Sequence, residues 1–296
     1  MAALKPAEMR GYFLIVAASV LWGTMGVLAK FAYAFGVQPD VLIALRLTVG
    51  FGTLFVVLSL FARGSLRVDR RDVSVLLVFG VVGVTLQRLS YFYAVSLTTA
   101  TVAAILFYTY PVFLSVYAWL VFGEKLTLWD VLAIVLTFVG VAFVVRVYDV
   151  SVLRADVVGV AFGLASSLFF VAYFVLARRL RAHYASWTLT VCGDGIGALV
   201  LSPVVVVSFS NVVGFPWQVW LLVLMIAWFP SLLAYVLYSH AVKYVKAKGS
   251  VLSVIEPLSA AVFSTVFVGE RFEALQLLGI ALALAGVVFL FRHGMG

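Results

Sequence analysis

One stretch of this sequence, residues 111–145, recurs without a gap 146 positions later as residues 257–291. Ten of its 35 positions are identical in the two copies. Apolar residues match easily by chance in an apolar chain, but polar and conformationally special residues match as well. These include Pro111 and Pro257, Gly123-Glu124 and Gly269-Glu270, and Gly140 and Gly286. The pattern indicates an internal duplication.

The regions before this stretch also match. Gly11, Ala17, Ser19, Leu28 and Ala29 are among the residues that recur at an offset of 148, and Tyr91, Ala94 and Val95 recur at an offset of 147. Small changes in offset correspond to changes in loop length. We therefore predict two related halves, residues 1–150 and 151–296, within one integral membrane unit.

Apolar length is the second constraint. The chain is 65% apolar and 11% charged, with a mean hydropathy of +1.20. A helix of about 20 apolar residues crosses the roughly 30 Å hydrocarbon core of a bilayer. The sequence predicts an all-α polytopic membrane protein with short connections. The predicted spans are 12–34, 41–61, 73–95, 99–122, 128–145, 157–177, 186–209, 217–240, 248–268 and 274–291.

The basic residues predict the orientation. With the N-terminus in the cytoplasm, only Arg146, Arg154 and Arg271 fall outside, and Lys30, Arg46 and Arg88 lie within spans. The other fourteen are Lys5, Arg10, Arg63, Arg67, Arg70, Arg71, Lys125, Arg178, Arg179, Arg181, Lys243, Lys246, Lys248 and Arg292. By the positive-inside rule both termini are expected to be cytoplasmic, in the cell membrane. Topology explains the net charge of +8 better than a nucleic-acid partner does.

Five spans in each half is an odd number, so the second half is expected to be inverted relative to the first. Inverted repeats are typical of secondary transporters, because related halves can exchange conformations around a site near the bilayer midplane. The sequence therefore predicts transport of a small-molecule substrate, with lipid as the other partner. The sequence does not specify the oligomeric state and is compatible with a monomer.

Three features of the sequence occur together: Trp22-Gly23 in span one, Arg46 in span two and the two Pro-to-Gly-Glu blocks of spans four and nine. In these residues the sequence resembles the EamA-type, ten-helix branch of the drug/metabolite transporter superfamily. The resemblance covers essentially the whole chain. It implies a central cavity lined by spans 1, 3, 4, 6, 8 and 9, with spans 5 and 10 at the back. Members of this branch export amino acids and other metabolites, although some import.

Two carboxyl groups lie well inside the predicted spans, Asp194 and Glu256. Each is about 12 Å from the predicted cytoplasmic end, at 1.5 Å per residue. Ionisable groups at such depth usually face a water-filled cavity or a partner. Both are candidate proton-coupling sites, with Glu256 favoured because it lies beside Pro257, whose missing N–H is expected to kink the helix and free a carbonyl group. The alternatives are a structural latch for Glu256 and close helix packing around Asp194.

Arg88, in the outer half of span three, is a candidate for binding an anionic substrate group, since a guanidinium pairs bidentately with a carboxylate. Snorkelling towards headgroups or an ion pair within the bundle is the alternative. For Lys30 and Arg46, near the outer span ends, snorkelling or structural pairing is favoured.

Aromatic side chains complete the predicted substrate site. Rings with hydroxyl groups can pack a flat apolar or amino-acid ligand and also form hydrogen bonds with it. The candidates are Trp22, Tyr91, Tyr108, Tyr110, Tyr235 and Tyr238. Ordinary packing is the alternative for each ring. A second group, near span ends, is expected in the interfacial belt: Trp119, Trp129, Trp187, Trp217 and Trp220.

Other functions are less well supported by the sequence. Gly193-Asp194 is similar to the Gly-Asp of intramembrane aspartyl proteases, but the second aspartate is missing, so no enzyme is predicted. The three histidines are scattered and the single cysteine, Cys192, has no partner, so no metal or cofactor is expected. We predict a proton-coupled exporter of small metabolites such as aromatic or apolar amino acids, working by alternating access. The alternatives are a facilitative carrier or importer of organic anions or phosphates, a channel, and a non-transporting membrane protein.

Overall fold

A computed structural model describes residues 6–123, 127–241, 244–245 and 252–293. Within these ranges the chain is helical and contains no strand. Glu124 of the first Gly-Glu pair lies outside the described residues, as do five of the bases assigned to the cytoplasm: Lys5, Lys125, Lys243, Lys246 and Lys248.

The long helices follow one another with short connections. They are α1 (Pro6–Ala34), α2 (Pro39–Phe61), α3 (Arg70–Leu97), α4 (Ala100–Phe122), α5 (Leu128–Val144), α6 (Val150–Leu180), α7 (Ser186–Val207), α8 (Trp217–Ala241), α9 (Leu252–Val268) and α10 (Ala274–His293). Seven of them, α1–α4 and α6–α8, are long and apolar enough to cross a membrane, and α5, α9 and α10 are shorter apolar helices. This part of the chain therefore has the architecture of a polytopic membrane protein.

Each predicted span coincides with one of these helices, but the helix ends differ. The largest differences are at α1, which begins at Pro6 instead of residue 12, and at α6, which begins at Val150 instead of residue 157. Hydropathy marks only the length that lies in hydrocarbon, whereas the helix continues where the side chains become polar. The apolar runs therefore locate the helices better than they locate the helix ends.

Three helices contain π-helical segments, in which a hydrogen bond closes a wider turn. The segments are Phe79–Leu86 in α3, Ala227–Leu233 in α8 and Ser264–Val268 in α9. Pro230 lies inside the second segment and has no N–H to donate. Hydroxyl groups bond to carbonyl oxygens five residues back: Ser231 to Ile226 at 2.7 Å and Thr85 to Gly80 at 2.8 Å. The first two segments occupy equivalent positions in the two halves, since they are 147–148 residues apart. Such π-helical turns often occur at functional sites.

The two copies of the Pro-to-Gly-Glu block also fold alike. Pro111 and Pro257 both lie in the first turn of a helical segment, where a missing N–H is tolerated. Within α9, the helix changes from a 3-10 turn at residues 252–254 to an α-helical segment that begins at Ile255, two residues before Pro257. Gly123 and Gly269 end α4 and α9 with positive φ angles of 68° and 77°, a conformation that costs glycine little.

Close contact between α5 and α10 depends on glycine. A methyl group on Gly140 would lie 2.6 Å from the carbonyl oxygen of Gly279, and one on Gly286 would lie 2.6 Å from that of Ala133. Gly140 and Gly286 are 146 residues apart, as are Ala133 and Gly279. Each helix therefore presents equivalent residues to the other, as expected when a contact is related by a two-fold rotation.

Further helix contacts recur in the same paired way. Gly11 contacts Val245, and the repeat counterpart of Gly11, Gly159, contacts Thr98, which is the counterpart of Val245. In the same way, Gly50 contacts Asp194, and Gly197, the counterpart of Gly50, contacts Leu47, the counterpart of Asp194. Small residues allow helix backbones to approach closely in a membrane. The equivalence found in the sequence thus extends to side-chain contacts.

Candidate functional site

Glu256 lies near the start of α9, where it faces the break in α4. The α4 helix is interrupted after Phe107 and resumes at Tyr110, which leaves Tyr108 in the break. The Tyr108 hydroxyl lies 3.0 Å from Glu256 Oε2 and also contacts the carbonyl oxygen of Ser253. Tyr108 is buried and Glu256 is half-buried. The carboxyl group of one half is therefore held by a side chain of the other.

This geometry suits a group that gains and loses a proton. The Tyr108 hydroxyl carries one proton, so it can donate to the Ser253 carbonyl oxygen or to Glu256, but not to both. Both contacts become hydrogen bonds when Glu256 is protonated and donates to the tyrosine oxygen. When Glu256 is ionised, the Tyr108 hydroxyl can donate its single proton to only one of the two acceptors, the Ser253 carbonyl oxygen or the Glu256 carboxylate. Protonation of Glu256 would thus change the bond between α4 and α9.

Helix α1 packs directly on the turn that holds Glu256. A methyl group on Gly23 would lie 2.9 Å from the Glu256 carbonyl oxygen, so only glycine permits this approach. The preceding residue, Trp22, packs against Tyr238 of α8 with ring centroids 5.3 Å apart. The Trp22-Gly23 pair therefore fixes α1 against both α8 and α9.

Arg88 and Asp194 form one ion pair. The sequence predicts them separately, Arg88 as a substrate-binding residue and Asp194 as a proton-coupling site. Arg88 Nη1 bonds Asp194 Oδ1, with the Arg88 side chain 21% exposed and the Asp194 side chain 5% exposed. Asp194 also lies against Gly50 of α2, where a larger residue would collide with its carboxylate. For Arg88, this contact is the ion pair within the bundle that was the alternative to substrate binding. The pair joins α3 to α7.

Arg46 lies inside the bundle. Its side chain is buried and does not snorkel, with 4% of the residue exposed. Its Nε and Nη2 donate to the Ser231 hydroxyl oxygen at 3.0 and 2.7 Å, and its guanidinium lies 6.0 Å from the Phe92 ring centroid. Lys30 is likewise turned inwards, donating to the Thr98 carbonyl oxygen at 2.6 Å. For both residues the expectation of structural pairing is the one that applies.

The predicted aromatic residues fall into separate groups. Tyr91, Tyr108 and Tyr110 all contact Phe107, with centroid distances of 5.8, 6.0 and 5.6 Å. Phe170 of α6 packs on the same ring at 5.0 Å. Phe107 is thus the centre of the cluster, although nothing in the sequence distinguishes it from the other 24 phenylalanines.

Tyr235 lies apart from that cluster and packs edge-on against Trp187, with centroids 5.8 Å apart. Trp187 was expected in the interfacial belt, but it is half-buried against another helix. The remaining predicted belt residues are exposed on the bundle surface: Trp119, Trp129, Trp217 and Trp220.

A second polar cluster lies at the predicted outer side. Glu270, which follows the Gly269 turn, accepts bonds from the Ala100 N–H at 2.8 Å and the Thr101 hydroxyl at 2.9 Å. It therefore caps the start of α4 from the α9–α10 connection, since the first N–H groups of a helix have no partner within the helix. Nearby, Arg146 forms an ion pair with Glu273 at 3.1 Å. Glu270 and Arg146 are among the residues that line a cavity of about 140 Å³.

Comparison with known proteins adds to this geometry. The sequence profile of the EamA-like transporter family matches residues 9–146 and again residues 157–292. The chain belongs to the EamA-like transporter family. This EamA-like protein is accordingly an integral membrane transporter.

Relatives of the EamA-like chain are similar along almost its whole length. A protein of Archaeoglobus fulgidus described as an uncharacterized transporter is 31% identical over 284 residues, which are 96% of this chain and 97% of the relative. The uncharacterized inner membrane transporter YicL of Salmonella typhimurium is 26% identical, with 95% of each chain covered. The uncharacterized transporter YetK of Bacillus subtilis is 25% identical, covering 96% of this chain and 87% of its own.

The EamA-like fold is also similar to that of a protein of known crystal structure. The TM-score is 0.62 at 19% identity, and the match covers 97% of this chain and 99% of the other. At this identity the likeness concerns the fold alone.

Proposed function

We propose that this EamA-like protein is a secondary transporter built from ten membrane-spanning helices in two inverted halves, residues 1–150 and 151–296. The observation that carries the proposal is the set of paired contacts, in which Gly140 and Gly286 meet equivalent residues of the opposite half. Two halves related by an axis in the membrane plane can exchange conformations, so that a central site opens to one side and then to the other. Both termini are proposed to be cytoplasmic.

The transporter is proposed to export small metabolites such as amino acids, including aromatic or apolar ones. The aromatic cluster around Phe107 supports an apolar ligand, and the charged side chains of Arg88 and Asp194 support a ligand with a charged group. The proposed site residues belong to α1, α3, α4, α7, α8 and α9, and all of these except α7 are among the helices proposed to line the central cavity. Export, as opposed to import, is proposed from the resemblance to exporting members of the family.

Proton coupling is proposed to occur at Glu256, with Asp194 as the second candidate. Glu256 contacts an uncharged tyrosine, so its protonation leaves no unpaired cation behind. Asp194 is paired with Arg88, and protonating it would leave a guanidinium without its counter-ion. The repeat counterpart of Glu256 is Tyr110, which has no carboxyl group, so the two halves are unequal in this respect.

The proposal is tested by counterflow in proteoliposomes. Vesicles containing the purified protein are loaded with unlabelled L-phenylalanine, and the entry of labelled L-phenylalanine from outside is followed. A carrier gives a transient accumulation that saturates with external concentration, because each turnover exchanges one molecule for another. Uptake that rises linearly without counterflow would instead identify a channel. If neither phenylalanine nor a panel of other amino acids gives counterflow, the proposed substrate class is wrong.

The role of Glu256 is tested in the same vesicles. Glu256→Gln keeps the shape of the side chain but removes its change of charge. Acceleration of transport by an imposed pH gradient should be lost, while counterflow at equal pH continues. Glu273→Gln is the control, because Glu273 is an exposed acid outside the proposed cavity. A Glu256→Gln variant that responds to the gradient as the parent does would identify Glu256 as a structural latch.

A further inference from the structure

Arg46 lacks hydrogen-bond acceptors that a buried guanidinium needs. A guanidinium carries five N–H donors and cannot be deprotonated under ordinary conditions. The Ser231 oxygen accepts from Nε and Nη2, whereas Nη1 is buried and has no partner among the described residues. A buried donor without an acceptor is costly, and more so when it is charged. The site around Arg46 is therefore one acceptor short.

The charge around Arg46 is also unbalanced. Arg46 and Gly50 lie one turn apart on α2, and Gly50 contacts Asp194. Arg88 and Phe92 lie one turn apart on α3, and the Arg46 guanidinium lies over the Phe92 ring. Arg88 thus contacts Asp194 directly, Arg46 lies one turn from the residue that Asp194 packs against, and the charges of Arg88 and Asp194 act on Arg46. Two cations share one anion in the interior of a membrane protein, where an unpaired charge is unfavourable.

We propose that Arg46 and Arg88 together bind the carboxylate of an organic anion, and that Asp194 occupies this position when the carrier is empty. The inference rests on the proposed transport function and names the chemical group that its substrate carries. A planar carboxylate can accept from Nη1 of Arg46, the donor without a partner, through one oxygen and from Arg88 through the other. Substrate and Asp194 then compete for Arg88, so substrate binding would release the contact between α3 and α7. The Ser231 hydroxyl, in the π-helical segment of α8, holds the guanidinium in place.

A carboxylate fits this site better than a phosphate group. A phosphate dianion would need several clustered bases, whereas the site supplies an excess of one positive charge. The adjacent face is apolar and aromatic, since Phe92 lies beside the guanidinium. A compact monocarboxylate with an apolar body therefore suits both the charge and the surface.

Benzoate and benzamide are the matched probes, because they have nearly the same shape and differ in charge. The melting temperature of the detergent-purified protein is measured at fixed pH against the concentration of each probe. Benzoate should raise the melting temperature by several degrees and benzamide should not, since binding stabilises the folded state by mass action.

Variants of the proposed site should change benzoate binding in different directions. Arg46→Gln should weaken benzoate binding at least ten-fold, and Arg46→Lys should weaken it less because it keeps the charge but loses the planar guanidinium. Asp194→Asn removes the competitor and should tighten benzoate binding about ten-fold. Lys30→Gln, the control, changes an inward-facing cation outside the cluster and should leave benzoate binding as it is.

The outcomes separate this site from the transport proposal. If Arg46→Gln lowers the melting temperature but keeps the benzoate shift, Arg46 is structural and the inference is wrong. Should Arg46→Gln fail to fold, Asp194→Asn decides: unchanged affinity for benzoate overturns the inference. Counterflow of an amino acid in a protein that benzoate does not stabilise would leave the transporter proposal standing and remove the carboxylate site.

Discussion

Glu270 illustrates how a single side chain joins the two halves of this molecule. It belongs to the connection between α9 and α10, yet both of its carboxylate oxygens bond to the start of α4. The bonds satisfy one backbone N–H and one hydroxyl that would otherwise lack partners at the helix N-terminus. A negative charge at this position is also favoured by the helix dipole. Glu273, three residues further on, is 53% exposed and pairs with Arg146 on the surface.

The two acids should therefore differ in their effect on stability. Glu270→Ala leaves donors at the start of α4 unpaired and should cost about 1–3 kcal/mol. Glu273→Ala removes an exposed ion pair, and such pairs contribute about 0–1 kcal/mol. Thermal denaturation of both variants in the same detergent measures the difference. Equal melting temperatures would show that Glu270 does not cap α4 in solution.

At the scale of elements, the helix pairs depend on small residues at defined positions. Gly140 and Gly286 lie where α5 and α10 cross, and any side chain at either position would meet the backbone of the other helix. Lipid tails are as apolar as leucine, so close van der Waals packing has to hold such helices together. Gly52 of α2 provides a contrast, because a methyl group there would meet nothing within 4 Å.

Substitution at these two glycines should separate packing from helix propensity. Gly140→Val forces α5 and α10 apart and should destabilise the protein by about 1–3 kcal/mol, as overpacking does elsewhere. Gly52→Val introduces the same side chain into open space and should change stability little. The melting temperatures of the two variants, together with their elution as monodisperse particles, provide the measurement. A Gly140→Val protein as stable as Gly52→Val would mean that the crossing is looser than the structure shows.

For the whole molecule, the charge distribution and the repeat make a common prediction of topology. The connection between α2 and α3 contains Ser65, and that between α7 and α8 contains Asn211. The proposed inverted arrangement places the first in the cytoplasm and the second outside. The charges of the connections drive this orientation, since basic residues are retained on the cytoplasmic side.

Cysteine accessibility checks that topology. In a Cys192→Ser background, single cysteines replace Ser65 and Asn211. A membrane-impermeant thiol reagent applied to intact cells should label the cysteine at position 211 and not the one at position 65, whereas inverted vesicles should give the reverse. Labelling of both from the same side would contradict the ten-helix arrangement.

The positions of the apolar helices in the described part of the chain, the duplication and the presence of charged residues within the spans can all be read from the sequence. These properties depend on hydrocarbon thickness and on glycine and proline chemistry, which act locally along the chain. The positions of Arg88, Asp194 and Glu256 inside the spans were evident for the same reason.

Which of these groups contact one another becomes clear from the packed helices. Arg88 pairs with Asp194 and Arg46 with Ser231 across 106 and 185 residues of sequence, and Phe107 becomes the centre of the aromatic cluster. Such contacts depend on which faces of the helices turn towards each other. Hydropathy does not specify that rotation when nearly every face is apolar, because packing against neighbouring helices sets it.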